Sequence, residues 1–263
     1  VSPLRLLAIA VAVLAGIGLF VLPRYLVAEP APGAAASASP NRAATEKIVR
    51  DYLLSNPQIL REVAEKLREQ DETKAESARA DVFRKDASEI YDSEHQVVLG
   101  NPDGDVTLVE FFDYNCGYCK QALADTEDLL RSDPKLRLVL KEFPVLGQDS
   151  VDAARVAIAV YSQAPAKYLD FHRQLLSAEG ASAETALGIA AKLGLDQAKL
   201  SAAIADPKIE ENLASVQKLA KQLGINGTPT YVIADRVLPG LGGADTLKDL
   251  IGNVRKCGKV GCS

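Results

Sequence analysis

Apolar positions change their spacing several times along this 263-residue chain, and each change marks a different kind of element. Leu6 to Leu22, "LLAIAVAVLAGIGLFVL", is an unbroken apolar run. As a helix it would be ~26 Å long, slightly short of a bilayer core and longer than most cleaved signal cores. Residues 29–44 are rich in Pro, Ala and Ser and read as a tether. A polar helical pattern follows over 45–92. In "SNPQIL", Asn56 is the expected N-cap and Pro57 the first helical residue. Leu60, Val63 and Leu67 then recur at helical spacing. That seam either packs on its own domain or forms a short oligomerisation stalk. The charged stretch after it predicts a solvated helix.

From His95 the period becomes that of strands. "HQVVLG" predicts a short strand, "NPDGD" a turn, and "VTLVEFF" a strand buried on both faces. "CGYCKQALADTEDLL" reads as a helix that starts at the cysteines, and "LRLVLKEF" as another strand. Several amphipathic helices fill 148–223. "TPTYVIA" and "RVLPG" give two late strands and "ADTLKDLIGNVRK" a final helix. The order β-β-α-β, helices, β-β-α predicts an α/β domain over 93–263 with a helical insertion at about 148–223. Residues 1–28 are read as a signal peptide or membrane anchor, and 45–92 as an N-terminal extension.

Composition narrows the chemistry. A net charge of −5, with no basic stripe, argues against a nucleic-acid surface. The two histidines, His95 and His172, have no ligand-spaced neighbours, which disfavours a histidine metal site or a Ser-His-Asp hydrolase. His172 reads as a surface or packing residue. The four cysteines fall in two local pairs, Cys116/Cys119 and Cys257/Cys262, a pattern suited to an oxidising compartment.

Cys116 and Cys119 are nearly one helical turn apart, on one face, at a separation a disulfide accepts. A cysteine at a helix N-terminus has its thiolate favoured by unpaired N–H groups and the dipole. Spacing alone leaves three readings open: a redox pair, half of a metal site, or a structural bridge. Glu110 interrupts an otherwise apolar strand. Buried there, its carboxyl would hold its proton and could shuttle one for Cys119. The alternatives are an ion pair with Lys141 on the neighbouring strand, or an edge position facing water. Cys257 and Cys262, in "CGKVGC", would close a small structural disulfide loop. A second redox relay, or a zinc site shared by all four cysteines, is the alternative.

"FFDYNCGYCK", "LKEFPVLG" and "GTPTYVI" together resemble the DsbA-like branch of the thioredoxin superfamily, over roughly His95 to Cys257. With the N-terminal extension, the chain looks most like its ScsC-type exported members. The resemblance implies a thioredoxin-like fold and protein thiol–disulfide exchange, as oxidase or isomerase, with no dissociable cofactor. It implies Cys116 as nucleophile, Cys119 as resolving thiol, Glu110 as proton relay and Pro229 as a cis-proline facing the cysteines. Thr228 and Tyr118 would bind substrate, and Gly117 and Tyr118, between the sulfurs, would tune the potential. Gly-Tyr departs from the Pro-His of the strongly oxidising DsbA pattern, and Thr228 before the proline resembles isomerases. The implied partners are protein substrates, a membrane redox partner and further copies of the chain through 45–92. The implied location is the periplasm, anchored by residues 6–22 or released. A copper-binding role for the same thiols is the alternative from another class.

Overall fold

The computed structural model describes residues 40–93 and 96–262. The apolar run at 6–22, most of the 29–44 linker and His95 lie outside the described residues. The chain divides into two compact units between Arg61 and Glu62.

In the first unit, α1 (Pro40–Ser55) is followed by the start of α2 (Gln58–Lys85). Asn56 does not cap α2 as the sequence predicts. Its side-chain amide turns back and donates to the Tyr52 carbonyl at 2.9 Å, closing α1 instead. An Asn side chain carries donors as well as an acceptor, so the same residue can end one helix as readily as start the next. Most large hydrophobic positions of α1 are exposed, among them Ile48, Val49, Tyr52 and Leu54, while Leu53 is half-buried.

In the second unit α2 continues, and α3 (Ala87–Tyr91) leads to β1 (Val97–Gly100), β2 (Val106–Phe112), α4 (Gly117–Ser132) and β3 (Leu136–Glu142). Five helices follow: α5 (Gln148–Gln163), α6 (Pro165–Leu176), α7 (Ala183–Lys192), α8 (Gln197–Ile204) and α9 (Pro207–Leu223). The chain then returns through β4 (Thr230–Ile233), β5 (Arg236–Pro239) and α10 (Ala244–Cys257). The strands make one sheet in the order β1-β3-β2-β4-β5. β2 and β3 pair in parallel at its centre, and the other pairings are antiparallel.

Both faces of the two central strands are covered, which is why they read as near-continuous apolar runs. Leu108 and Phe112 face a core that includes Cys119 and Leu129 of α4 and Leu247 and Ile251 of α10. Val109, Phe111 and Val139 face a second core with Val216, Leu219 and Leu223 of α9. Val82 of α2 and Ile90 of α3 join that second core, so the far end of the helical region expected at 45–92 packs on the sheet. Further back on α2, Val63 and Leu67 are 50% and 55% exposed, and Leu60, in the first unit, is 57% exposed.

Candidate active site

β2 ends at Phe112, and the next four residues carry the chain to the N-terminus of α4, where Cys116 is the N-cap. Asp113 holds this turn in place. Its buried Oδ1 accepts from the Asn115 amide and the Ser150 hydroxyl, both at 2.8 Å. Its Oδ2 accepts from the Val145 and Leu146 amides at 2.8 and 3.0 Å. Asn115 in turn donates to Ser150 and to the Ala181 carbonyl, and accepts from the Ala181 amide. The cysteine turn is thereby tied to the loop after β3 and to the inserted helices.

Beside it lies a buried aromatic and polar cluster. The Tyr114 hydroxyl meets those of Tyr168 and the Nδ1 of His172, each at 3.1 Å. The Tyr168 hydroxyl donates to Glu142 Oε1 at 3.1 Å. Burial pushes the Glu142 carboxyl well above the usual carboxylate range and draws His172 down to about 3, so the histidine is a neutral ring. His172 is therefore an interior packing residue stacked on Tyr168, not a surface group. Tyr168 is one turn earlier on the same helix, but Phe112 and Tyr114 come from β2 and the turn after it, far off in sequence, which its local helical pattern could not indicate.

The thiol of Cys116 donates to the Thr228 carbonyl at 3.1 Å. The peptide bond between Thr228 and Pro229 is cis. Cys119, one turn further on, is buried and unbridged, and burial pushes its thiol well above the ordinary cysteine value. The Glu110 carboxyl raises it further, while contacts from the Asp113 backbone and Thr228 oppose the shift.

Glu110 lies on the same sheet face as α4. Its Oε2 accepts from the Thr126 hydroxyl at 3.1 Å. Burial raises its pKa to about 8; the Thr126 hydrogen bond opposes the rise and Asp125 adds to it. The expected alternatives for Glu110 fail for a reason of parity. In the β2–β3 register Glu110 is opposite Leu140, while Lys141 is opposite Phe111, so the two side chains leave opposite faces of the sheet. Lys141 donates instead to the Glu89 carbonyl, Ser93 Oγ and Gln96 Oε1. Nor does Glu110 face water, since β2 is central and the residue buried.

Tyr118 is 62% exposed at the mouth of the site. It lines a cleft of about 750 Å³ together with Gly227, Thr228 and Pro229, facing Glu76 and Arg79 of α2. A Cβ at Gly117 would meet nothing within 4 Å, so packing does not require glycine between the cysteines. The structure thus brings together Cys116, Cys119, Glu110, Thr228, Pro229, Gly117 and Tyr118. Cys257 and Cys262 stand apart at the end of α10, bonded to each other with an S–S distance of 2.05 Å. Their sulfurs are engaged in that bond, which removes the zinc site shared by four cysteines. Among the described residues, no group of three or more His, Cys, Asp or Glu side chains is arranged to hold a metal ion.

Two residues of the site escaped sequence reading: Asp113 and Thr126. An acid directly after a buried strand and before an N-cap was a usable signal for Asp113. Thr126 carried none, because nothing in its helix marks it apart from a solvent-facing threonine.

The DSBA-like thioredoxin domain profile matches residues 107–252, more than half of the chain. The chain belongs to that family. Residues 42–74, most of α1 and the first half of α2, match the copper resistance protein ScsC N-terminal domain. A thioredoxin-like oxidoreductase from Silicibacter pomeroyi DSS-3 is 41% identical, with a TM-score of 0.61 over 65% of this DsbA-like chain and 98% of its own. Proteus mirabilis ScsC in a transitional conformation is 26% identical, with a TM-score of 0.60 over 83% of this chain and 97% of its own. Disulfide bond formation protein D of Bacillus subtilis (strain 168) is 31% identical over 171 residues, 59% of this chain and 75% of its own length. The chain also matches two proteins named Na(+)/H(+) antiporter NhaA, from Herminiimonas arsenicoxydans and Salinispora arenicola, spanning 24% and 22% of their lengths.

Proposed function

We propose that the protein is a periplasmic thiol–disulfide oxidoreductase that forms or isomerises disulfides in protein substrates through the Cys116–Cys119 pair. The observation that supports this most is the arrangement of one thiol hydrogen-bonded to the Thr228 carbonyl, next to the cis Thr228–Pro229 bond, and the second buried on the face that carries Glu110. Membership in the DsbA-like family and the 31% identity to a disulfide bond formation protein point the same way.

In the reducing direction, the Cys116 thiolate attacks a substrate disulfide, forming a mixed disulfide and releasing one substrate thiolate. In isomerisation another substrate thiolate then re-forms a disulfide and expels Cys116 reduced; otherwise the mixed disulfide is resolved within the enzyme. Cys119 gives its proton to Glu110, and the resulting thiolate attacks the Cys116 sulfur. The Cys116–Cys119 bond forms, the bond to substrate breaks, and the second substrate thiolate leaves to take up a proton. In the oxidising direction the steps reverse: a substrate thiolate attacks the Cys116 sulfur, and the departing Cys119 thiolate is protonated by Glu110. The buried thiol is a poor spontaneous acid, so a proton acceptor on its own face of the sheet is what this resolving step needs. The Thr228 backbone offers an extended substrate segment a strand to pair with, and Tyr118 supplies an exposed aromatic surface. Two electrons are carried by the disulfide itself, and a redox partner in the membrane resets it.

Residues 45–92 serve in this reading as a helical extension that joins copies of the chain, and 93–263 as the catalytic domain, with α5–α9 as the insertion near 148–223. The exposed Leu60, Val63 and Leu67 support the extension's role, as does the match of residues 42–74 to the ScsC N-terminal domain. No helix of the described residues is long and apolar enough to cross a membrane, so anchoring rests on the sequence of residues 6–22.

The test is reactivation of scrambled, fully oxidised ribonuclease beside oxidation of the reduced form, using the fragment from about residue 43. Unscrambling identifies an isomerase, and rapid oxidation without it an oxidase. Cys119→Ser should accumulate a mixed disulfide on Cys116. Absence of both activities would sink the proposal and leave Cu(I) binding by the same thiolates, which the likeness of residues 42–74 to a copper resistance protein's domain favours. Copper titration of the reduced protein, with and without Cys116→Ser, measures that directly.

A further inference from the structure

Among the described residues, the Tyr231 hydroxyl is one of only two buried side-chain polar atoms without a hydrogen-bond partner, the other being Gln163 Oε1. Tyr231 is 1% exposed, and a phenylalanine would fill nearly the same space. Leaving a buried hydroxyl unpartnered is destabilising, so its presence here calls for a state in which it has a partner. The register identifies one. In the antiparallel β2–β4 pair, Tyr231 is the residue directly opposite Glu110. Residues so paired point to the same face, with Cβ atoms roughly 5 Å apart. Tyr231 also belongs to the core cluster that contains Cys116 and Cys119.

We propose that Tyr231 is a positioning residue for the proton relay: its hydroxyl donates a hydrogen bond, directly or through one bound water, to Glu110 when that carboxyl is ionised. This deepens the reading of Glu110 as the relay group and rests on it. Thr126 occupies Oε2, but a carboxylate accepts several bonds, so a second donor has a place. While Glu110 holds its proton, it has little need of a second donor and the phenol stands idle. When Cys119 hands over or receives its proton, the charge on Glu110 changes, and the phenol either engages or is released. The atoms balance without a further reactant, because Tyr231 keeps its own proton throughout.

The surroundings give the ionised carboxyl little other help. α4 brings Cys116, Cys119 and Asp125, of which Asp125 opposes a second negative charge. α10 contributes the apolar Leu247 and Ile251 to the cluster, and its Lys248 is engaged with Asp128. On β4, Tyr231 is the titratable group opposite the carboxyl, and burial holds its hydroxyl protonated well beyond the usual tyrosine range. A donor that cannot itself lose its proton at working pH is what stabilises a transient anion without competing for the proton.

The test compares the full chain with Tyr231→Phe and Glu110→Gln. It follows the resolution of a preformed Cys116 mixed disulfide in a single turnover across pH 6–10. In the wild type the rate should rise with a midpoint near 8, where Glu110 ionises. Loss of the phenol removes a bond made only to the charged form, so in Tyr231→Phe the midpoint moves upward with the high-pH limiting rate kept. A shift of about one unit would slow the reaction several-fold at pH 8. The thermal midpoint gives the second readout: Tyr231→Phe should be the more stable protein at pH 6 and lose that advantage by pH 9. A superimposable pH profile, or equal slowing at every pH, overturns the assignment. The two readings fail separately. A normal profile in Glu110→Gln removes the relay, whereas a flattened one beside an unshifted Tyr231→Phe removes only the phenol's part.

Discussion

Glu110 shows how much one interior side chain can set. Its proton is held up to about pH 8 by burial, against an ordinary value of 4.5. Between those limits the folded chain binds a proton that the unfolded chain has lost, so its contribution to stability is full below about 4.5 and disappears as pH rises through 8. Glu110→Gln has no such titration. Measured by denaturant unfolding from pH 5 to pH 9, the variant should gain on the wild type by about 3–5 kcal/mol as pH increases. A difference that stays flat with pH would mean that the carboxyl titrates normally in the fold. The sequence identified Glu110 as an anomaly because an acid inside "VTLVEFF" breaks an apolar strand. It could not exclude Lys141 as its partner, and nothing in it pointed to Thr126. Lys141 sits one register position from being opposite, and one position in a strand is the difference between two faces of a sheet.

At the scale of elements, the turn from β2 into α4 depends on Asp113 more than on the cysteines it presents. One carboxylate there accepts four hydrogen bonds from three separate segments. Asp113→Ala would leave the amides of Val145 and Leu146 and the Ser150 hydroxyl short of their acceptor, at a cost of about 3–5 kcal/mol. Hydrogen exchange at Val145 and Leu146 should accelerate together with the loss of stability, and exchange as slow as in the wild type would show that other acceptors hold the loop. The strands themselves and α4 were legible from periodicity, because a half-turn or full-turn repeat is written in adjacent residues. The partners of Asp113 were not, since the loop after β3 and α5 reach it only after a chain crossover.

For the whole molecule, the proposed joining role of the exposed seam separates the oxidase from the isomerase reading. An isomerase gains from presenting several active sites around one misfolded client. Leu60, Val63 and Leu67 are half or more exposed in the single chain. Sedimentation equilibrium should give an oligomer for the fragment from about residue 43, and the paired change Val63→Glu with Leu67→Glu should reduce it to monomer. Unscrambling should then fall while simple dithiol oxidation persists. A fragment that is monomeric from the start would favour simple oxidation and remove the joining role from residues 45–92.

The sequence by itself determined the α/β order of elements, the helix that opens at Cys116, the paired thiols one turn apart, the acid in a buried strand and the small "CGKVGC" loop. All of these rest on neighbours within about one or two turns or strand repeats, where backbone geometry alone relates side chains. The tertiary structure decided the rest. It brought the Thr228 carbonyl to the Cys116 thiol, gave Glu110 the hydroxyl of Thr126, and made His172 part of a buried aromatic cluster. It also set Tyr231 opposite Glu110. These contacts join segments far apart in the chain. Their existence depends on strand register and on which face of the sheet a helix covers, quantities that no local pattern of hydrophobic and polar residues encodes.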